Sequence, residues 1–282
     1  EKNNICIDET YGCIPLTVIG NARPARELTK VNEETLKRYI DEGDMYGISI
    51  NYIMNSVWCD GVEFSDEGRE RILSEIEKLV SLGIKKVSIS SPGILKLVCN
   101  NFRDIEITVS INNCVDSVYA IKRWEDENVK KIVLNRHINS DFDLLKSMIA
   151  QSETQLELLV NSMCNLFCSL HQYHNIINSC SSNVNCNDIV SNYPQNQCAY
   201  NMLSNPQEIM CSAWIRPEDI YIYEELGFDS FKLDGRCLGA EDVLFQVEQY
   251  MKKTFEGNFF DLFDFYNTRK AHHFYLELDN RI

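Results

Sequence analysis

Apolar, β-branched runs alternate with helical patterns along almost the whole chain. The predicted strands are Ile5–Asp8, Tyr46–Tyr52, Lys86–Ser90, Ile105–Ser110, Lys130–Asn135, Leu156–Asn161, Met210–Trp214 and Ser230–Leu233. The predicted helices are Asn32–Glu42, Asp66–Leu82, Pro92–Asn100, Cys114–Glu127, Asp141–Ile149, Pro217–Leu226 and Ala240–Lys253, with one more after Cys164. This alternation is typical of repeated βα units, which build a parallel sheet covered by helices.

Residues at the helix ends support these boundaries. Ser65 precedes the run DEGRERILSEIEKL, which places acidic residues in the first helical turn, and Pro92 and Pro217 stand where a first turn tolerates proline. Gly83 and Gly227 follow two helices directly, as C-terminal helix caps usually do.

About eight βα units predict a single TIM-like (β/α) barrel domain over residues 1–282. An open, doubly wound sheet is the alternative arrangement of the same elements. The first predicted strand begins so close to residue 1 that an opening βα unit could be missing, which leaves open a barrel that is incomplete at its N-terminus.

Two segments depart from the alternation. Residues 175–207 are rich in Asn, Ser and Cys and have no clear period, so we expect a long lid loop over the barrel mouth. The aromatic C-terminal segment, residues 254–282, opens with TFEGNFFDLFDFY, and we expect this run to pack across the barrel rather than to bind a partner.

Composition and charge restrict the class of protein. No apolar run approaches the ~20 residues that cross a bilayer, and the first residues do not resemble a signal peptide, so we expect a soluble, cytoplasmic protein with no membrane span. Acidic residues outnumber basic ones 42 to 27, giving a formal charge of −15. This charge repels phosphate backbones, so nucleic acid is not an expected partner.

Twelve cysteines stand out, and two of them lie in the run LLVNSMCNLFCSLHQYH. Cys164 and Cys168 are four residues apart, and His171 and His174 follow; on a helix all four could share one face. The pattern indicates a metal or iron–sulfur site, and zinc would suit these thiolates and imidazoles. The interpretation of this run as the cluster-binding loop of a radical-SAM enzyme is weakened, because His171 stands where the third cysteine of such a loop would be. No HExxH motif supports a metalloprotease.

Four stretches together resemble the collagenase-like peptidase family U-32. They are INYIMNSVWCDGVEFS, ISSPGILKLV, LELLVNSMCNLFCSLHQYH and WIRPEDIYIYEELGFDSFKLDGR, and the phrase FKLDGR and the cysteines after LLVN are the most specific parts. The resemblance implies a TIM-like barrel. It also implies a likeness to family members that act as oxygen-independent hydroxylation factors and hold a [4Fe–4S] cluster on four cysteines.

The ligand set follows from this resemblance. Cys164 and Cys168 match the family's cysteine pair, Cys59 matches a cysteine after an earlier strand, and Cys198 in the predicted lid is the candidate for the remaining position. The rivals for that last position are Cys180, Cys186 and Cys211.

Other polar residues near predicted strand ends are candidates for catalysis or substrate binding. For catalysis they are His171, His174 and Asp234; for substrate binding they are Asn55, Asn161, Arg216 and Arg236. The histidines could equally be partners of the ligands, the asparagines could cap loops, and Asp234 could belong to an ion-pair network at the rim.

The predicted function is an oxygen-independent, iron–sulfur hydroxylase or a subunit of one. It would act on a small molecule or peptide, with an external electron donor. The alternatives are a collagenase-like peptidase and a non-catalytic or zinc-binding partner in a heterodimer with a related barrel.

Overall fold

The structure, a computed structural model, describes residues 7–125, 128–186, 193–235, 238–263 and 277–278. Within these residues seven parallel strands form one sheet in which each strand pairs with the next in sequence. The strands are β1 Glu9–Gly12, β2 Ser49–Met54, β3 Lys86–Ile89, β4 Glu106–Val109, β5 Val129–Val133, β6 Gln155–Leu159 and β7 Ser230–Lys232. This sequential order is that of a barrel, and it excludes the doubly wound alternative, in which the strand order reverses.

Helices connect the strands. They are α1 Glu33–Tyr46, α2 Asp66–Leu82, α3 Pro92–Asn101, α4 Val118–Trp124, α5 Phe142–Gln151, α6 His171–Ser181, α7 Tyr193–Ser204, α8 Gln207–Met210, α9 Ile220–Leu226 and α10 Ala240–Lys252. A short antiparallel pair, β8 Gly257–Asn258 and β9 Glu277–Leu278, follows. Two predicted caps are confirmed, since the Ser65 hydroxyl accepts from the Gly68 N–H and Gly83 ends α2 in the left-handed region.

The sheet curls, and its concave face carries an unusual polar layer. Lys131 on β5 donates to Glu9 on β1 at 2.8 Å and to Glu157 on β6 at 2.9 Å. The Tyr11 hydroxyl donates to Glu157, and the Lys232 ammonium on β7 lies 3.3 Å from the centre of the Tyr11 ring. Because these contacts join the first strand to the fifth, sixth and seventh, the sheet is a curled half-barrel of TIM-like topology.

The apolar core lies on the other face of the sheet. Ile89, Ile107, Ile132 and Leu158 alternate along their strands with the polar residues and are fully buried. The strands therefore bury an apolar face under the helices and a hydrogen-bonded polar face inside the curl.

Three predicted boundaries are wrong. The first strand is Glu9–Gly12 rather than Ile5–Asp8, of which Ile5 and Cys6 lie outside the described residues, and β2 begins at Ser49 because α1 continues to Tyr46. The fourth helix begins at Val118, where the Ser117 hydroxyl accepts from the Ala120 N–H.

The strand predicted at Met210–Trp214 is also absent. Met210 ends α8, and β6 pairs directly with β7, so the intervening residues form no ladder in the sheet. The neighbouring Ile215 N–H donates to the carbonyl of Val160 at 2.8 Å, and Ala213 and Ile215 are buried. Ala213 and Ile215 thus pack in the core beside the end of β6, and the run that contains Ala213 does not join the sheet.

The segment predicted as an aperiodic lid is largely helical where it is described, since it contains α6 and α7. Its polar residues make specific contacts with the N-terminal segment. The Ser182 hydroxyl donates to the Asn21 carbonyl and accepts from the Asn21 N–H, and the Asn183 side chain donates to the Val18 carbonyl. Polarity at the end of α6 therefore reflects buried hydrogen bonding rather than solvent exposure.

The aromatic segment packs as predicted where it is described. Phe255, Phe259, Phe260 and Phe263 are buried, and the Phe259 ring lies 4.8 Å from the Trp214 ring. A search of the described residues finds no helix with the length and apolar character of a membrane span.

Replacing Lys131 with methionine tests the polar layer. The side chains of Lys131, Glu9 and Glu157 are 12%, 6% and 3% exposed, so the variant removes the cation that the two buried carboxylates share and leaves Glu9 with Lys86, at 3.6 Å. We expect the free energy of unfolding at pH 7 to fall by about 3–5 kcal/mol in chemical denaturation. The control Lys37→Met breaks an exposed pair with Asp41 and should cost about 0.5 kcal/mol or less.

The stability deficit of Lys131→Met should depend on pH. Burial by itself raises the pKa of Glu9. Hydrogen bonds from Lys131 and Tyr11, together with the charge of Lys131, outweigh burial, so the pKa of Glu9 lies below its ordinary value. In the wild type this stabilisation is present above the unfolded-state pKa of Glu9 and is lost as the pH falls through the folded-state pKa. In the variant, burial without Lys131 favours the protonated acid. The deficit should therefore shrink between pH 7 and pH 4, and a constant deficit would contradict the assignment.

Candidate functional site

The predicted site residues gather around the carboxyl ends of β5 and β6 and the start of α6. Arg136 and His137 follow β5, and the loop of residues 160–170 follows β6. Cys164 and Cys168 lie in this loop, whereas His171 is the first residue of α6. The prediction that all four share one helical face is therefore wrong, because the helix starts only after the cysteines.

The guanidinium of Arg136 is at the centre of the site. It is buried, with the residue 9% exposed. One terminal nitrogen, Nη1, donates to the Ser162 hydroxyl at 3.2 Å and to the sulfur of Cys164 at 2.8 Å, and Nη2 donates to Nε2 of His171 at 3.2 Å. Among the described residues no carboxylate forms an ion pair with Arg136. Buried cations are normally paired with an anion, and Cys164 is the bonded group that can carry negative charge.

Both predicted histidines are neutral at pH 7. Burial, followed by the charge of Arg136, lowers the pKa of His171 to about 4; burial and the charges of Arg23 and Arg136 lower the pKa of His174 to about 4. Nε2 of His171 accepts from Arg136 and from the Asn175 side chain, which leaves the proton on Nδ1, 3.9 Å from the Cys114 sulfur. In this state the neutral His174 can accept a proton, whereas the lone pair of His171 is already engaged by Arg136 and Asn175.

Three of the four predicted ligand cysteines lie near one another. Burial, and then the charges of Cys164 and Cys168, raises the pKa of Cys198 on α7 to about 11. Cys198 thus lies within electrostatic reach of Cys164 and Cys168, and Cys164 is bonded to Arg136. Among the described residues no group of three or more His, Cys, Asp or Glu side chains already has the spacing that holds a metal ion, so ligation requires the thiols to close in.

The fourth predicted ligand, Cys59, lies elsewhere. It is 2% exposed within the apolar core, and burial, followed by the charge of Glu63, raises its pKa to about 12. Of the rivals, Cys180 and Cys186 contact each other at the end of α6, near Asp60.

Cys211 is the rival whose segment is hydrogen-bonded to the loop that carries Cys164. It is exposed, and two residues after it the Ala213 N–H donates to the Cys164 carbonyl at 3.3 Å. The segment that carries Cys211 therefore runs alongside the loop that carries Cys164.

The two predicted asparagines hold the loops together. Asn55 accepts from the Ala22 N–H and donates to the Ser110 hydroxyl. Asn161 donates to the Asp234 carbonyl and accepts from the Asp234 N–H, both at 2.7 Å. Their amides are thus engaged in capping contacts, the alternative that the sequence left open.

The charged candidates at the rim have separate partners. Arg216 forms a two-point ion pair with Asp219, with both bonds at 2.8 Å, and Asp234 pairs with Arg23 at 2.6 Å. Arg236 lies outside the described residues. The positive charge near the histidines is therefore supplied by Arg136 and Arg23.

Sequence reasoning missed Arg136, Arg23, His137 and Cys114. A usable signal existed for Arg136 and His137, because they directly follow the strand predicted at Lys130–Asn135, the position where barrel enzymes place functional residues. Arg23 and Cys114 come from segments without such a signal.

A cleft of about 670 Å³ adjoins the site. It is lined by His137, Ser140, Asp141, Phe142, Asp143, Leu166 and Phe167. The Phe167 backbone has a φ of 52°, in the left-handed region that costs a residue with a side chain ~1–2 kcal/mol. Its ring is 80% exposed and stacks on the His137 ring at 5.4 Å, and its N–H donates to Nδ1 of His137.

Comparisons with known proteins place the chain in a family. Residues 20–259 match the model of peptidase family U32. The uncharacterized protease MJ1657 of Methanocaldococcus jannaschii is 28% identical over 257 residues, which span 90% of this chain and 74% of that protein. The solved structure of the U32 peptidase Mk0906 is similar in fold, with a TM-score of 0.60 and 18% identity over 83% of this chain and 95% of that one. The resemblance predicted from the sequence is confirmed: this chain belongs to peptidase family U32.

Proposed function

We propose that this chain holds a [4Fe–4S] cluster at the mouth of the half-barrel and acts in oxygen-independent hydroxylation of a small molecule or peptide. The observation that carries this proposal is the buried guanidinium of Arg136, which lacks a carboxylate partner among the described residues and donates to Cys164 beside two further thiols. A cluster held by thiolates is a buried anion, and Arg136 is placed to balance it.

The ligands would be Cys164, Cys168, Cys198 and a fourth cysteine. Cys59 would have to leave the apolar core to take that position, whereas Cys211 is exposed and lies on a segment bonded to the Cys164 loop. We therefore favour Cys211 over Cys59 as the fourth ligand. Zinc is the alternative occupant of the same thiols.

The protein's own residues have definable parts in this reaction. The cluster, when bound, supplies or accepts electrons. Arg136 holds the sulfur of Cys164 and the imidazole of His171 in place, and the neutral His174 is the acceptor for a proton released from substrate. An external electron donor completes the proposal, and a heterodimer with a related barrel would supply any missing part of the mouth.

Peptide hydrolysis is the second candidate. It is favoured by the printed names of the relatives, a protease and a peptidase. In the described residues, however, no histidine contacts both a nucleophile and an orienting carboxylate, the arrangement expected of a catalytic triad.

Cysteine substitutions test the ligand set. After oxygen-free purification the wild type should contain iron and acid-labile sulfide and show the absorption of a [4Fe–4S] cluster. Cys164→Ser, Cys168→Ser, Cys198→Ser and Cys211→Ser should each lower iron retention at least ~10-fold, because each loses a thiolate ligand. Cys99→Ala, a change in a buried cysteine on α3, is the matched control and should keep its iron.

The same preparation separates the alternatives. Zinc without iron, or iron that survives the loss of both Cys164 and Cys168, would refute the cluster. A cluster retained in Cys211→Ser but lost in Cys59→Ser would restore Cys59 as the fourth ligand. Cleavage of gelatin that persists in all of the cysteine variants would support the peptidase.

Substituting Arg136 tests the charge that carries the proposal. Arg136→Gln removes the cation, so the cluster should be retained ~10–100-fold less well, and any cluster that remains should have a lower midpoint potential in an EPR-monitored redox titration. Arg136→Lys should recover part of both properties, since it keeps the charge. Arg216→Gln, which breaks only the ion pair with Asp219, should leave both unchanged. An unshifted potential in Arg136→Gln would show that Arg136 has only a packing role.

A further inference from the structure

We propose that the cleft beside Phe167 is a binding subsite for a guanidinium group, such as the arginine side chain of a peptide. The guanidinium would lie flat on the exposed Phe167 ring and pair with the carboxylates of Asp141 and Asp143. The subsite does not rest on the cluster, because peptide binding is measured without turnover and without metal.

The Phe167 ring is held in place despite its exposure. Its backbone is in the left-handed region, its N–H is anchored on Nδ1 of His137, and its ring stacks on the imidazole with planes 25° apart. One face of the ring is therefore covered by His137, while the residue as a whole is 80% exposed. An apolar ring fixed in this way offers a preformed flat surface to a ligand.

The second wall of the cleft is also preformed. Phe142 packs against the Tyr223 ring at 5.6 Å, and Leu166 is part of the same loop as Phe167. At about 670 Å³ the cleft lies within the range of sites that take small molecules and peptide side chains.

The charges of the residues that line the cleft favour a cationic ligand. Asp141 and Asp143 are both exposed, and Asp141 uses Oδ1 to cap α5 through the Leu144 N–H. The N-terminus of α5 contributes roughly +0.5 of a charge, which the two carboxylates exceed. Arg136 donates on its other side to Cys164 and His171, and burial lowers the pKa of His137, so the imidazole that lines the cleft adds no opposing charge.

The shape of the cleft favours a guanidinium over an ammonium. A guanidinium is planar, stacks on aromatic rings and binds carboxylates through two parallel hydrogen bonds, whereas an ammonium is a compact charge. A flat ring next to two carboxylates provides both kinds of contact.

Binding of two peptides to the full chain tests the proposal. The probes are acetyl-glycyl-arginyl-glycine amide and its citrulline counterpart, which has nearly the same shape without the charge. Titration followed by NMR should give a dissociation constant at least ~10-fold lower for the arginine peptide, a factor that corresponds to about 1.4 kcal/mol.

Three variants locate the binding. Phe167→Leu should weaken the arginine peptide ~10-fold by removing the stacking surface. Asp143→Asn should reduce the preference for arginine over citrulline without changing the citrulline affinity. Phe64→Leu alters an aromatic residue of matched exposure, 79%, on a 3-10 helix away from the cleft and should change neither.

Each other outcome overturns the proposal. Equal affinities for the two peptides would remove the role of charge, and undetectable binding of the arginine peptide at millimolar concentration would remove the site. An equal loss of affinity for the arginine peptide in Phe64→Leu and Phe167→Leu would show that the peptide binds nonspecifically. Since Phe167 and Asp143 are both exposed, their variants should fold as the wild type does, and a thermal unfolding midpoint confirms this.

Discussion

The half-barrel depends on one buried ionic contact, that of Lys131 with Glu9 and Glu157. A parallel sheet usually fills its concave side with branched apolar residues, but here a lysine lies between two carboxylates and draws β1 towards β5 and β6. Such a triad is costly to desolvate, and its hydrogen bonds must all be made for the sheet to curl in this way. Tyr11 and Ser230 complete it by donating to Glu157. The curl in turn brings the carboxyl ends of the strands to one mouth, where the candidate site lies.

Buried charge must also be balanced at the mouth of the half-barrel, but the partners there are different. Inside the curl Lys131 is paired with Glu9 and Glu157, whereas the guanidinium of Arg136 is bonded to a hydroxyl, a sulfur and an imidazole. A chain that carries a formal charge of −15 has many carboxylates to offer, so it is informative that none in the described part of the chain forms an ion pair with Arg136. A thiolate, or a group that the thiolates hold, would supply the negative charge that balances the guanidinium.

Periodicity in the sequence predicts a parallel sheet covered by helices, because alternation of strands and helices is a local property. The caps at Ser65 and Gly83 are local in the same way, whereas the barrel order is not, since a doubly wound sheet uses the same elements. Where the prediction failed, a long-range contact decided the structure. The strand predicted at 210–214 does not form, since Ala213 and Ile215 are buried beside β6 without joining the sheet, and the polar end of α6 is buried against Asn21 through Ser182. Neither outcome can be predicted from the residues that are adjacent in the sequence.

The candidate site was predictable to a similar degree and for the same reason. Cys164 and Cys168 stand out by spacing, but the approach of Cys198 depends on how α7 folds back, and the burial of Cys59 depends on α2. The position of Arg136 after a strand marks it as a candidate, but only the structure shows that its guanidinium is bonded to Cys164 and His171. Its charge also explains why the histidines that spacing suggested as metal ligands are better understood as neutral acceptors. An imidazole that accepts a hydrogen bond from a buried guanidinium has already used the lone pair that a metal would need.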